Sequence, residues 1–250
     1  MADYSNLESQ INTPVACAVF DSIASTNDYL STLAFSKTPQ VCIAREQTQG
    51  RGQYDRAWLS CKDASVLLSV RFVFDANVAL NGLSLVMGLA VVEVLEKLGV
   101  SDAKLKWPND VYVEDKKIAG ILIENSAQGR YQSVVIGLGL NYCLDQDFEC
   151  DSPWIDLAYL LKDLPAIEDL SAKLIDSLLI YCQLFAEQGW SYFLTAWNSS
   201  DYLLGKAVEL ELNNQKITGK VYGVNAQGAL LIEVNNQLVE AYSSKQIRLI

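Results

Sequence analysis

Asp110 and Lys117 stand on either side of a polar turn, Glu114-Asp115-Lys116. Lys104 to Trp107 reads as a strand, and Pro108 then fixes its own φ and removes a donor. Asn109 and Asp110 read as turn formers whose side chains bond the local backbone. Val111 to Val113 resumes an extended segment, and Ile118 to Ile123 has the composition of a buried strand. A carboxylate and an ammonium held over an apolar floor suit a phosphate-bearing substrate with a metal. A solvated surface hairpin fits the same local pattern. A second cluster is Arg45 to Trp58, a polar loop with two glycines and three arginines. Gly50 and Gly52 permit close backbone approach, and Arg51 and Arg56 can grip phosphate or carboxylate in a bidentate fork. No GK[ST] follows, so the loop is neither a P-loop nor a dinucleotide fingerprint. Ser25-Thr26-Asn27-Asp28 offers N-cap chemistry, and its three small polar side chains can also bind a polar ring. Gly137 and Gly139 leave room for a ligand or for another backbone. Asn141 closes that run.

The elements that must carry these residues are readable in turn. Residues 15–23 look like a first strand, and a short helix follows from Ser25 to about Phe35. Val41 to Ala44 and Ser65 to Phe74 are strands, and 81–98 is a core-packing helix ended by Gly99. Tyr131 to Tyr142 is a buried strand. Residues 143–167 are loop-like, with Trp154 to Leu157 starting a short helix. An amphipathic helix covers 168–188, and a further helical stretch runs from Gly189 to about Asn198. After Leu204 the texture changes to five short alternating strands separated by Asn- and Gly-containing turns, among them Asn213-Asn214. Such strands suggest a small closed β-barrel. The expected fold is α+β, a mixed sheet flanked by helices (residues 1–202) followed by the barrel (residues 203–250).

Composition narrows the chemistry. The chain has 250 residues, 50% hydrophobic, enough for a large core plus a small second unit. The formal net charge is -11, which argues against nucleic acid as a partner. The charge is uneven: residues 45–120 hold 10 basic and 10 acidic side chains, so an anion would sit most easily there. There is no histidine, which removes His triads, His bases and His metal sites. None of the six cysteines forms a CxxC pair, so a zinc site is not expected, and they read as reduced thiols of a cytoplasmic protein. No signal peptide or membrane-spanning run is visible.

Together these pieces resemble the biotin protein ligases. The matching residues are Ser25-Thr26-Asn27, Gln47, Gly50-Arg51-Gly52, Trp58, Lys106-Trp107-Pro108-Asn109-Asp110, Lys117, the run 119–124 and the run 137–141. The small C-terminal unit falls where that family has an SH3-like barrel, beside a class II synthetase-like catalytic fold. The resemblance implies a two-step reaction. Biotin and MgATP give biotinyl-5′-AMP and pyrophosphate, and a lysine of a biotin carboxyl carrier domain, as in acetyl-CoA carboxylase, then attacks the mixed anhydride. Biotin's carboxylate is itself the nucleophile, so no histidine base is required; the work is to position two anions. On this reading Lys117 and Arg51 contact biotin's carboxylate and the α-phosphate. Asp110 helps hold Mg²⁺, orients Lys117 or orients the incoming amine. Ser25, Thr26, Asn27 and Gln47 meet biotin's ureido end, with Gly52, Gln53, Gly120 and Leu122 lining the same pocket. Arg56, Trp58, Asn109, Asn141 and Trp154 surround the nucleotide, with Trp154 offering a face to adenine.

Two departures from the family pattern stand out. The usual loop reads GRGRxGRxW, and here Gln53 replaces an arginine and Asp55 a glycine. One phosphate-facing cation is missing and one anion is added, so weaker retention of biotinyl-AMP is expected. Only Met1 to Thr13 precede the first strand, too few for the DNA-binding winged helix of some relatives, so a ligase-only type, monomeric or homodimeric, is expected. Two rivals share the ligand class or the fold. A lipoate or octanoate ligase would carry a basic Gly-rich motif with a His, which is absent. A non-catalytic biotin-binding protein would have no use for Lys117, Asp110 and Arg51 together.

Overall fold

The computed structural model describes residues 3–145, 147–148, 150, 152–212 and 215–250, with the Asp55 side chain also outside the described part. The expected Asn213-Asn214 turn lies outside the described residues. The chain begins with a short helix that the sequence reading did not anticipate, α1 (Leu7–Gln10). It continues through β1 (Ala16–Phe20), α2 (Thr26–Thr32), β2 (Gln40–Ala44), β3 (Ser65–Asp75) and α3 (Leu83–Lys97). Next come β4 (Lys104–Lys106), β5 (Asp110–Val113), β6 (Lys116–Gln128), β7 (Tyr131–Asn141), α4 (Leu157–Leu160), α5 (Ile167–Gln188) and α6 (Leu194–Ser200). The chain closes with β8 (Ala207–Leu212), β9 (Gln215–Val224), β10 (Leu230–Val234), β11 (Gln237–Ala241) and β12 (Ile247–Leu249).

The larger sheet runs β1-β2-β3-β7-β6-β5-β4, antiparallel except for the parallel β1–β2 pair. Strand alternation divides its two faces. Val66, Leu68 and Val70 of β3, Ile136 and Leu138 of β7 and Ile121 of β6 point into one continuous core under α3 and α5. The intervening positions, among them Ser69, Arg71, Gly137, Gly139, Gly120 and Leu122, form the opposite face, where α2 packs. α3 is buried on nearly every side because it lies between the sheet and α5, and Gly99 stops it at φ 92°.

The opening hairpin departs from the sequence reading at Asp110. This residue is a strand residue rather than a turn residue, paired with Lys106 on one side and Gly120 on the other. Ladder bonds on both edges of β5 outweigh its turn preference. The turn proper is Glu114-Asp115, both at positive φ (50° and 58°), which suits a two-residue hairpin. Trp154 likewise precedes its helix instead of starting it. Asp156 is the cap, accepting from Tyr159 N, while Trp154 bridges to Lys117.

The five C-terminal strands appear as expected, in the order β11-β10-β9-β8-β12, with the ladder open between β11 and β12 among the described residues. They join the larger unit through polar side chains reaching backbone. Trp107 Nε1 donates to Gly228 O at 3.0 Å and Trp190 Nε1 to Asn225 O at 2.9 Å. The apolar core runs on without a break into Val208, Val221 and Ile232. No helix among the described residues is long and apolar enough to cross a membrane.

Candidate active site

The site is built on the sheet face opposite the core. Lys117 and Gly120 are three positions apart, so in an ideal strand they would point to opposite faces. The β5–β6 register shifts between Val111 and Tyr112, leaving Ile118 as an extra residue in β6. The bulge reverses the parity, and Lys117 shares the cavity with Gly120. Its backbone is held by a crossing strand. Lys117 N donates to Pro153 O at 2.9 Å, and Ile155 N donates to Lys117 O at 3.1 Å. Asn141 Nδ2 adds bonds to Lys117 O at 3.3 Å and Ile155 O at 3.0 Å. Lys117 Nζ then meets Asp110 Oδ1 at 2.7 Å and lies 5.2 Å from the centre of the Trp58 ring. The structure thus places Asp110 as the direct partner of Lys117. Among the described residues no group of three acidic, Cys or His side chains converges on a point where a metal could be held by protein alone.

A polar cup stands on the α2 side. Ser25 caps α2 by accepting from Asp28 N at 3.3 Å, an interaction that contributes about 1 kcal/mol. Thr26 N and Thr26 Oγ1 reach Gln47 Oε1 at 2.7 and 3.0 Å. Ser69 Oγ lies 2.7 Å from Thr26 Oγ1 and 2.6 Å from Asn27 Oδ1. Two hydroxyl protons serve these three oxygen contacts, so acceptor capacity remains for a ligand N–H. Asn27 Nδ2 donates to Glu124 Oε2 at 2.7 Å. Glu124 Oε1 and Asp28 in turn receive Arg51, the former at 3.1 Å. Asp28 first, and Glu124 beside it, hold the Arg51 guanidinium above its ordinary pKa. Arg51, expected to face substrate anions, is thus tied to two carboxylates in this structure.

Three glycines make these approaches possible. A side chain at Gly137 would overlap the Asn27 amide, one at Gly139 would overlap the Trp58 indole, and one at Gly120 would stand 2.8 Å from that indole and 3.1 Å from Lys117 Nζ. The arginine loop is folded rather than open. Arg51 bridges Ala57, Gly52 N donates to Arg56 O at 2.7 Å, and Trp58 N to Gly50 O at 2.9 Å. Gln53 opens a short 3-10 turn in which Tyr54 takes a left-handed conformation, φ 58°.

These parts enclose a cavity of about 650 Å³ lined by every candidate residue of the sequence reading. The wall residues do not all turn a free polar group inward. Asn109 Nδ2 donates to Ile121 O at 2.6 Å, so like Asn141 it fixes backbone. Trp154 Nε1 donates to Phe148 O at 2.9 Å, and Phe148 stands edge-on to its ring at 5.7 Å. Four contributions were missed. Ser69 hides in an apolar strand, and the only hint is that polar Ser65, Ser69 and Arg71 recur with period two. Glu124 ends the 119–124 run without having been given a role. Lys106 lines the cavity from β4, and Ser244 to Ile247 reach it from the C-terminal unit. Lys106 could have been found as the first residue of the run ending in Asp110; nothing local marks the C-terminal segment.

Comparison with known proteins agrees with this geometry. The Biotin/lipoate A/B protein ligase family matches residues 19–141, and the Biotin protein ligase C terminal domain matches residues 203–244. The bifunctional ligase/repressor BirA of Escherichia coli is 37% identical over 221 residues, 86% of this chain and 68% of that protein. The biotin--[acetyl-CoA-carboxylase] ligase of Mycobacterium tuberculosis is 32% identical over 212 residues, 80% of this chain and 75% of that protein. Among solved structures, the Aquifex aeolicus biotin protein ligase in complex with biotin and ATP superposes with a TM-score of 0.80 at 27% identity, covering 94% of this chain and 99% of that one. On sequence, fold and site alike, the chain belongs to the biotin protein ligase family.

Proposed function

We propose that the chain activates biotin with MgATP as biotinyl-5′-AMP and passes the biotinyl group to a lysine of a biotin carboxyl carrier domain. The observation that carries this reading is the Lys117–Asp110 pair on a strand whose next cavity positions, Gly120 and Leu122, lead toward the Thr26–Gln47–Ser69 cup. The cup presents donors and acceptors of the kind a cyclic urea needs. Lys117 supplies positive charge where a carboxylate oxygen attacks the α-phosphorus. In that step the carboxylate O–P bond forms, the bond to the bridging oxygen breaks, and pyrophosphate leaves. In the second step the neutral carrier amine attacks the acyl carbon, AMP leaves with the anhydride oxygen, and the amine sheds a proton. A charged donor to the transferring phosphate contributes roughly 1.5–3 kcal/mol.

Asp110 orients Lys117. Mg²⁺ comes with the triphosphate, and Asp110 is the cavity carboxylate placed to complete its shell beside substrate oxygens. Arg51, through Asp28 and Glu124, links the arginine loop to the cup. Trp58 forms the wall between Gly120 and Gly139, and Trp154 offers its free face to adenine. Residues 1–202 act as the catalytic unit and 203–250 as the smaller one. The test is ATP-dependent transfer of biotin to a carrier domain, run beside the same assay with lipoate. Biotin transfer abolished by Lys117→Ala supports the reading; lipoate transfer alone, or biotin binding without pyrophosphate release, rejects it.

A further inference from the structure

Five cations line the cavity: Arg51, Arg56, Lys106, Lys117 and Lys245. Arg51 is held by Asp28 and Glu124, and Lys117 by Asp110. Arg56 and Lys245 are exposed, where water and salt already screen them. Lys106 is different. It is half-buried and forms no ion pair among the described residues. Its Nζ donates to Tyr112 Oη at 3.2 Å and lies 4.8 Å from the centre of that ring. The tyrosine is itself fixed. Its ring stacks on Tyr202 at 5.0 Å, and Tyr202 Oη donates to Asp115 Oδ1 at 2.9 Å. The strand is pinned as well, because Tyr202 N donates to Leu105 O at 2.9 Å. A pre-positioned ammonium sits in the wall with its counter-ion missing. Burial depresses its pKa; Lys117 and Lys206 push the same way, and Asp110 opposes them. Such a charge is costly to keep unless an anion arrives.

The sheet order says which anion. Across the site face the strands run β3, β7, β6, β5, β4. Ser69 and Gly137 of the cup lie on β3 and β7, Gly120 and Lys117 on β6, Asp110 on β5 and Lys106 on β4. Strands are spaced about 4.8 Å apart. An elongated substrate laid across them meets a neutral cup at one end, Lys117 in the middle and Lys106 at the other end.

We infer that Lys106 is a further catalytic residue, contacting the β- and γ-phosphates of the nucleotide and the pyrophosphate that departs. The inference rests on the ligase reading for its substrate but not for its measurement. Inorganic tripolyphosphate, titrated into the intact protein by calorimetry, needs no biotin chemistry. Lys106→Met is expected to weaken tripolyphosphate at least tenfold and to raise the KM for MgATP comparably, with biotin affinity and melting temperature near wild type. Lys106→Arg should restore most of the binding. Undiminished tripolyphosphate binding by Lys106→Met overturns the inference. So does parallel loss of biotin affinity and stability without rescue by arginine, which is what a purely structural lysine beside Tyr112 would give. A wild-type protein that binds tripolyphosphate through Lys106 yet releases no pyrophosphate from biotin and ATP refutes the ligase reading and leaves the phosphate contact standing.

Discussion

The two ends of the cavity satisfy their polar groups in different ways. At the α2 end Thr26, Asn27, Gln47, Ser69 and Glu124 are joined by contacts of 2.6–3.0 Å, and Thr26, Asn27 and Ser69 are buried. At the β4 end Arg56 and Lys245 are exposed, and Lys106 has only a tyrosine for company. The first arrangement suits a neutral, rigid group recognised by shape and hydrogen-bond pattern. The second suits a flexible polyanion whose binding is dominated by charge. Lys117 lies between them and serves both, so mutations should divide into three classes.

The largest effect is expected at the centre. Lys117→Ala removes the cation at the reacting phosphate and leaves Asp110 unpaired in the cavity. Pyrophosphate release in a single turnover should fall by about 10²–10³-fold, with biotin binding weakened much less. A change of under threefold would remove Lys117 from the mechanism. At the α2 end, Gly137→Ala pushes a methyl group into the Asn27 amide. Biotin affinity, read from tryptophan fluorescence, should drop by about 10–100-fold, equivalent to about 1.4–2.7 kcal/mol, while the KM for MgATP stays within twofold. Equal losses at both ligands would show that the two ends are not separable.

At the β4 end the comparison predicts a pH signature. The folded pKa of Lys106 lies below the ordinary 10.5 because of burial. The group is cationic below that lowered value and neutral above it, so phosphate binding should weaken as pH rises, beginning below the ordinary lysine range. KM for MgATP should climb by up to about tenfold on this limb, and Lys106→Arg should flatten it. Biotin affinity should show no matching limb, since the cup holds no lysine. The same sign applies to stability: a lysine whose pKa is lowered on folding costs most at low pH and is relieved as pH rises.

Much of this was legible from residue types and spacing. Ser25 as a cap, the polar turn before Lys117 and the five C-terminal strands rest on local rules that the tertiary structure leaves intact. What was not legible depends on pairing. The extra residue at Ile118 exists only relative to β5, and it decides which way Lys117 points. Asp110 reads as a turn former until both its neighbours in the sheet are known. Lys106, in a three-residue strand, reads as a solvated charge, because nothing in its surroundings along the chain discloses Tyr112 stacked on Tyr202. Arg71 is a similar case. It donates from β3 to Leu30 O at 2.9 Å, Leu33 O at 2.8 Å and Ala34 O, tying down the end of α2 across a distance in sequence that no local pattern spans.

The smallest expected effect tests where the loop belongs in this contrast. Gln53 opens the turn in which Tyr54 is left-handed, and both residues line the cavity beside exposed Arg56. An arginine at this position would add a cation to the charge-dominated end without touching the buried cup. Gln53→Arg should therefore slow release of biotinyl-AMP, followed in a chase without carrier domain, by about threefold at low salt. The effect should fade as ionic strength approaches 1 M, where the screening length is about 3 Å. Biotin affinity should not move. If release is equally fast in the two proteins, the glutamine has no bearing on adenylate retention, and the loop acts on the site only through Arg51 and Trp58.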